Sequence, residues 1–175
     1  MRKLTLYIAT SLDMFIAREN GSVDWLFQEG EFGYQKFYSS IDTVIMGRKT
    51  WEVACGFEKE PYKDKICIVF SKKGFTPKQH YVNVVTKNIP SFVQKLKQKK
   101  GKPIWLVGGG QLASLLVNEG LVDEVWLYVH PRILGKGIPL LKGMKEIPLE
   151  HISTKSFPEG LVEMKYAAAS RKKSY

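Results

Sequence analysis

Three short stretches of this chain place glycine, cations or hydroxyls directly after an apolar run. In the first, Pro103-Ile104-Trp105-Leu106-Val107 leads into Gly108-Gly109-Gly110-Gln111, and apolar residues then recur at helical spacing at Leu112, Leu115 and Leu116. A strand, a glycine turn and a helix start leave main-chain N–H groups facing outward with no Cβ in the way, so a phosphate can approach them. A tight strand-to-helix connection that only needs positive φ explains the same glycines equally well. In the second stretch, Thr43-Val44-Ile45-Met46 runs into Gly47-Arg48-Lys49-Thr50 and a helix start at Trp51. Arg48 and Lys49 suit phosphate oxygens, Arg48 with two-pronged geometry, while Thr50 offers a hydroxyl bond or a helix cap. In the third, Ile66–Phe70 ends in Ser71-Lys72-Lys73-Gly74.

Two aspartates flank an early loop, Asp13 and Asp24, the second beside Trp25. A carboxylate near an aromatic ring could bind or protonate a heterocycle, and either could equally cap a turn. Other chemistry finds less support. His80, His130 and His151 lie far apart, and neither His-x-x-x-His nor Cys-x-x-Cys occurs, so no metal site is expected. Ser11 and Ser114 lack the Gly-x-Ser-x-Gly setting of a hydrolase nucleophile. The three glycines match neither Gly-x-Gly-x-x-Gly nor a Walker loop.

The elements that must position these groups alternate. Strands are expected over Leu4–Ala9, 43–46, 66–70, 81–85 and 103–107. Helices are expected over 31–41, from 47, over 91–100 and over 111–119, with Ser91 and Gln94 as a capping box and Gly120 as a C-cap. Alternation of this kind predicts a mainly parallel sheet covered on both faces, with ligands beyond the carboxyl ends of its strands. All three stretches fall there. The last third reads differently: a strand over 122–130 limited by Pro131, then an antiparallel hairpin of 149–157 with 161–168 across Pro158-Glu159-Gly160.

A chain of 175 residues with 44% hydrophobic content fits one domain, expected over 1–170 with a basic tail at 171–175. The net charge of +10 favours anionic partners, although Lys95–Lys102 and Arg171-Lys172-Lys173 read as solvated runs. Two cysteines without a disulfide framework suit the cytoplasm. No segment reaches the ~20 apolar residues of a membrane helix, and Leu4–Ala9 is too short for a signal peptide.

In order and spacing, Ala9, Ile16, Met46-Gly47-Arg48-Lys49-Thr50-Trp51 and Val107-Gly108-Gly109-Gly110 resemble the dihydrofolate reductase superfamily. Ser11-Leu12-Asp13 and Gly120-Leu121-Val122-Asp123-Glu124, followed by His130-Pro131 and Leu134-Gly135, are more similar to the reductase domain of bacterial riboflavin biosynthesis. The resemblance implies a three-layer α/β dihydrofolate reductase-like fold and NADPH as cofactor. It implies that the main chain of Ala9 and Ile16 holds the nicotinamide carboxamide. Gly47, Arg48, Lys49 and Thr50 would meet the phosphates, Ser71 and Lys72 the adenosine 2′-phosphate, and Val107 to Gln111 the pyrophosphate. Asp13 is the expected substrate-side catalytic group, with Ser11, Asp24 and Trp25 beside the substrate. There are departures on that side: Gly30, between Glu29 and Glu31, stands where folate reductases carry an acid, Ala113 replaces a tyrosine, and Val107 stands where riboflavin reductases tend to have Glu. The implied activity is reduction of a pteridine- or pyrimidine-like molecule, as in 5-amino-6-(5-phosphoribosylamino)uracil reductase, by a cytoplasmic homodimer. Two other readings stay open on the same scaffold. One is a catalytically silent nucleotide-binding protein. The other is a nucleic-acid-binding protein, which the core-like spacing of the aromatics argues against.

Overall fold

The computed structural model describes residues 1–27, 30 and 32–169. Glu29, Glu31 and the basic tail lie outside that set. Among the described residues, ten strands and four helices follow in the order β1 (Leu4–Thr10), β2 (Phe15–Ala17), α1 (Tyr34–Ser40), β3 (Thr43–Gly47), α2 (Arg48–Phe57), β4 (Ile66–Phe70), β5 (Val82–Val85), α3 (Ile89–Gln98), β6 (Ile104–Gly108), α4 (Gly110–Asn118), β7 (Glu124–Val129), β8 (Ile138–Pro139), β9 (Leu149–Ser156) and β10 (Val162–Ala168). Eight strands form one sheet in the order β5-β4-β3-β6-β1-β7-β10-β9, and β2 pairs with β8 in a separate two-stranded ribbon. The first six strands of the sheet are parallel, and β10 runs antiparallel to both β7 and β9.

Side-chain alternation sorts the sheet into two cores. One face carries Leu4, Leu6, Ile8, Ile45, Leu106, Val125 and Leu127, and α3 and α4 cover it through Val93, Leu96, Leu112, Ala113 and Leu116. The other is aromatic: Tyr7, Trp105 and Tyr128 meet Phe37 of α1 and Trp51 of α2. The Tyr7 and Phe37 rings stack at 4.1 Å, and Trp105 stands edge-on to Phe37 at 5.5 Å. Leu4, Leu6, Ile45, Ile104 and Leu106 are wholly inaccessible. Each such side chain contributes about 1.5–3 kcal/mol, which is why the central strands read as near-continuous apolar runs.

Three local expectations change. Helix α3 begins at Ile89, with Asn88 left-handed at its N-cap and a proline in its first turn. Ser91 therefore lies inside the helix and forms no capping box, because Pro90 is itself suited to a first-turn position whose N–H would be unpaired. Lys97, in the run expected to be solvated, is 5% exposed. Its Nζ bonds the Leu121 carbonyl at 2.6 Å and Asp123 at 2.7 Å, tying α3 to the approach of β7. The β2–β8 ribbon is new; two and three residues are too few to show a period in sequence.

Candidate functional site at the carboxyl edge of the sheet

Strands β3 and β6 are hydrogen-bonded neighbours, yet the helices that follow them cross to opposite faces: α2 packs in the aromatic core and α4 in the aliphatic one. The backbone parts at such a point, leaving a crevice beyond the carboxyl ends of the two strands. Both helices open there on glycine, Gly47 and Gly109, and neither N-cap is satisfied by a side chain. Two sets of free first-turn N–H groups therefore flank the crevice, with the positive ends of both helix dipoles. Thr50 closes the gap between the loops. A Cβ placed on Gly109 would come to 3.2 Å from Thr50 Oγ1, whereas one on Gly47 would meet nothing within 4 Å. Gly108 sits at φ +143°, a conformation L side chains rarely adopt. Gly110 is held for packing: its Cβ would stand 2.4 Å from the Pro139 carbonyl oxygen. The β2–β8 ribbon thus abuts the start of α4 and brings half-buried Ile16 to this edge.

Next along the sheet, β4 pairs with β3 through Gly47 and Phe70, so Ser71 and Lys72 emerge beside Gly47. Ser71 is buried; its N–H donates to the Val85 carbonyl and its own carbonyl accepts from Gly74 N–H, forming a turn that leaves Lys72 and Lys73 exposed. Arg48 Nε bonds Glu52 at 2.7 Å, and the guanidinium lies 5.1 Å over the Phe75 ring. Lys49 and Gln111 point to solvent, and Val107 is half-buried in the aromatic core. The phosphate-type residues of three separate loops thus share one edge.

On the other side of β6, the β1–β6 ladder ends at Leu6 and Leu106, while β1 continues beside β7 to Thr10. The Lys3 carbonyl accepts from Ile104 N–H and the Tyr7 carbonyl from Trp105 Nε1, so odd residues of β1 address the β6 side. By the same period, the N–H and C=O of Ala9 face the crevice beyond the last β1–β6 pair.

The expected substrate-side carboxylates are both engaged. Asp13 accepts from Ser11 Oγ at 2.6 Å, Leu134 N–H at 3.1 Å and Gly135 N–H at 2.7 Å. The Ser11 hydroxyl first, then the two amides, hold its carboxyl below the usual range. Asp24 takes two bonds from Arg18, at 2.7 and 3.0 Å, and one from the Ser22 hydroxyl, and it is likewise shifted down, chiefly by Arg18. Trp25, by contrast, is buried against the ring of His130 at 5.4 Å and 88°.

Two buried groups here carried no role in the sequence reading. His130 directly follows β7 and is 5% exposed; burial lowers its pKa, favouring the neutral imidazole. Glu163 on β10 is 7% exposed and accepts from the Tyr128 hydroxyl, while Lys165 Nζ lies 3.0 Å from its other oxygen. Tyr7 faces Tyr128 on the same row; burial first, moderated by Tyr128, pushes its pKa up to about 12. The sequence signal for Glu163 was a lone acid in an alternating strand, which also describes a solvent-facing residue. Among the described residues no group of His, Cys, Asp or Glu could hold a metal ion, and no helix is long and apolar enough to cross a membrane.

Comparison with known proteins agrees with this architecture. The uncharacterized protein YwjB of Bacillus subtilis (strain 168) is 40% identical over 173 residues, covering 96% of this chain and 99% of that protein. A Shewanella sp. PV-4 crystal structure superposes with a TM-score of 0.85 at 24% identity, over 96% of this chain and 99% of the other. The diaminohydroxyphosphoribosylaminopyrimidine deaminase/5-amino-6-(5-phosphoribosylamino)uracil reductase of Thermotoga maritima superposes at 0.73 and 16% identity, covering 95% of this chain and 56% of that one. The two structural likenesses show that this chain has the fold of the RibD C-terminal, dihydrofolate reductase-like proteins. The model of the RibD C-terminal domain matches residues 2–162, and the chain belongs to that reductase-like family.

Proposed function

We propose that this protein is an NADPH-dependent reductase of a pteridine- or pyrimidine-like heterocycle. The observation that carries the reading is the β3/β6 crevice, where two helix N-termini without side-chain caps meet from opposite faces. Such a crevice suits a pyrophosphate. The groups around it suit the rest of the dinucleotide. Gly47, Thr50 and Val107 to Gln111 would hold the pyrophosphate; Arg48, Lys49, Ser71 and Lys72 would surround a 2′-phosphate; the main chain of Ala9 and Ile16 would hold the carboxamide. When bound, the dihydronicotinamide supplies the hydride. The protein orients the acceptor ring against it. Both Asp13 oxygens accept from loop donors, so Asp13 fixes the loop that follows β1, and Asp24 holds its own turn with Arg18.

The aromatic rings interleaved with the basic residues pack into the core, which weighs against a nucleic-acid stacking surface. Free Cys55 and Cys67 suit a cytoplasmic setting, and a homodimer is the proposed assembly. Titration with NADPH, followed by its fluorescence, is expected to saturate, with NADH binding at least about tenfold more weakly. No saturable binding of either nucleotide overturns the reading.

A further inference from the structure

Among the described residues, two side-chain polar atoms are buried with no hydrogen-bond partner, Thr10 Oγ1 and Trp25 Nε1. Both adjoin His130. The Thr10 carbonyl accepts the His130 N–H at 2.8 Å, and the Trp25 ring meets the imidazole edge-on. An orphaned indole N–H is rare in a well-packed protein, and it marks a place where a ligand acceptor would be worth having.

The imidazole supplies the complementary group. Its Nδ1 lies 3.2 Å from the Tyr128 carbonyl oxygen. A carbonyl only accepts, so Nδ1 carries the proton and Nε2 keeps a bare lone pair. No described residue bonds Nε2. Phe27 walls the ring at 4.9 Å on another side. Trp25 Nε1 and His130 Nε2 are thus one donor and one acceptor on touching rings, with no hydrogen-bond partner among the described residues.

We propose that Trp25 Nε1–H and His130 Nε2 together recognise the amide-type edge of an oxo-heterocycle, the indole donating to the ring carbonyl and the imidazole accepting from the adjacent ring N–H. This rests on the reductase reading for its place in catalysis and makes His130 a specificity residue. It adds a recognition pair distinct from Asp13 and Asp24, each of which already accepts three hydrogen bonds.

The test is calorimetric titration, with and without NADPH, of 5,6-diaminouracil and of 5,6-diamino-1,3-dimethyluracil, which keeps the carbonyls but has no ring N–H. The first is expected to bind and the second to bind at least about tenfold more weakly. Trp25→Phe, which keeps ring and shape, and His130→Phe should each lower affinity for diaminouracil about tenfold and leave the NADPH dissociation constant unchanged. The ¹⁵N–¹H indole resonance that disappears in Trp25→Phe should move when diaminouracil is added to the wild type. Equal binding of both uracils, no binding of either, or wild-type affinity in Trp25→Phe overturns the proposal. Diaminouracil binding through this pair in a protein that never takes NADPH would support it and sink the reductase reading instead.

Discussion

At the scale of single residues, the charges near the crevice divide into those already used and those still available. Arg48 shares only its Nε with Glu52, in an exposed pair of small energetic weight. Its remaining N–H groups have no hydrogen-bond partner among the described residues and could meet a phosphate. Arg48→Gln is therefore expected to weaken NADPH binding about tenfold, leaving NADH affinity unchanged, as measured by fluorescence titration. Asp13 is the opposite case. Its folded pKa lies below the unfolded value, so its stabilising effect is present above the unfolded pKa and fades as pH falls through the folded one. Asp13→Asn should melt below wild type at pH 7. The gap should close as pH drops below about 4, a comparison that thermal scans across pH would make.

At the scale of elements, two glycines that look alike in sequence do different work. Gly110 lets α4 start against the β2–β8 ribbon, where a methyl would strike the Pro139 and Leu140 carbonyls. Gly110→Ala should destabilise the fold by about 1–3 kcal/mol in chemical denaturation, because backbone must move to admit it. Gly47 has open space where its Cβ would be and an ordinary φ of −78°. Gly47→Ala should cost at most about 1 kcal/mol of stability yet lower NADPH affinity, since the methyl would occupy the approach to the first turn of α2. One substitution reads on folding and the other on binding.

At the scale of the whole molecule, the sheet ends differently on its two sides. Strand β5 is short, four residues, whereas β9 runs for eight with nearly every side chain exposed, Leu149 and Ile152 among them. A long open edge with apolar residues is a liability unless something pairs with it. Light scattering is expected to give twice the mass of one chain, and Leu149→Lys with Ile152→Lys should shift it to the monomer. A wild-type monomer would remove the homodimer from the proposal. The basic surface fits an anionic cofactor, but it is less uniform than composition suggests: Lys97 turns inward to fasten α3 to the approach of β7.

Sequence alone determined the order and type of the main elements, because apolar period and strand-after-helix alternation are local properties. The same local grammar exposed Gly47 to Thr50, Ser71-Lys72 and Gly108 to Gln111, since a glycine or cation just past a strand is visible without knowing the neighbours. Only the tertiary structure decided that β3 and β6 lie side by side with their helices on opposite faces, which turns separate motifs into one crevice. It also showed what the two carboxylates bond to. Two of the Asp13 partners, Leu134 and Gly135, are distant in the chain and so invisible in its local sequence. His130 and Glu163 gained their interest from burial and from the bonds they make or lack, and burial is a property of the packed whole rather than of any stretch of sequence.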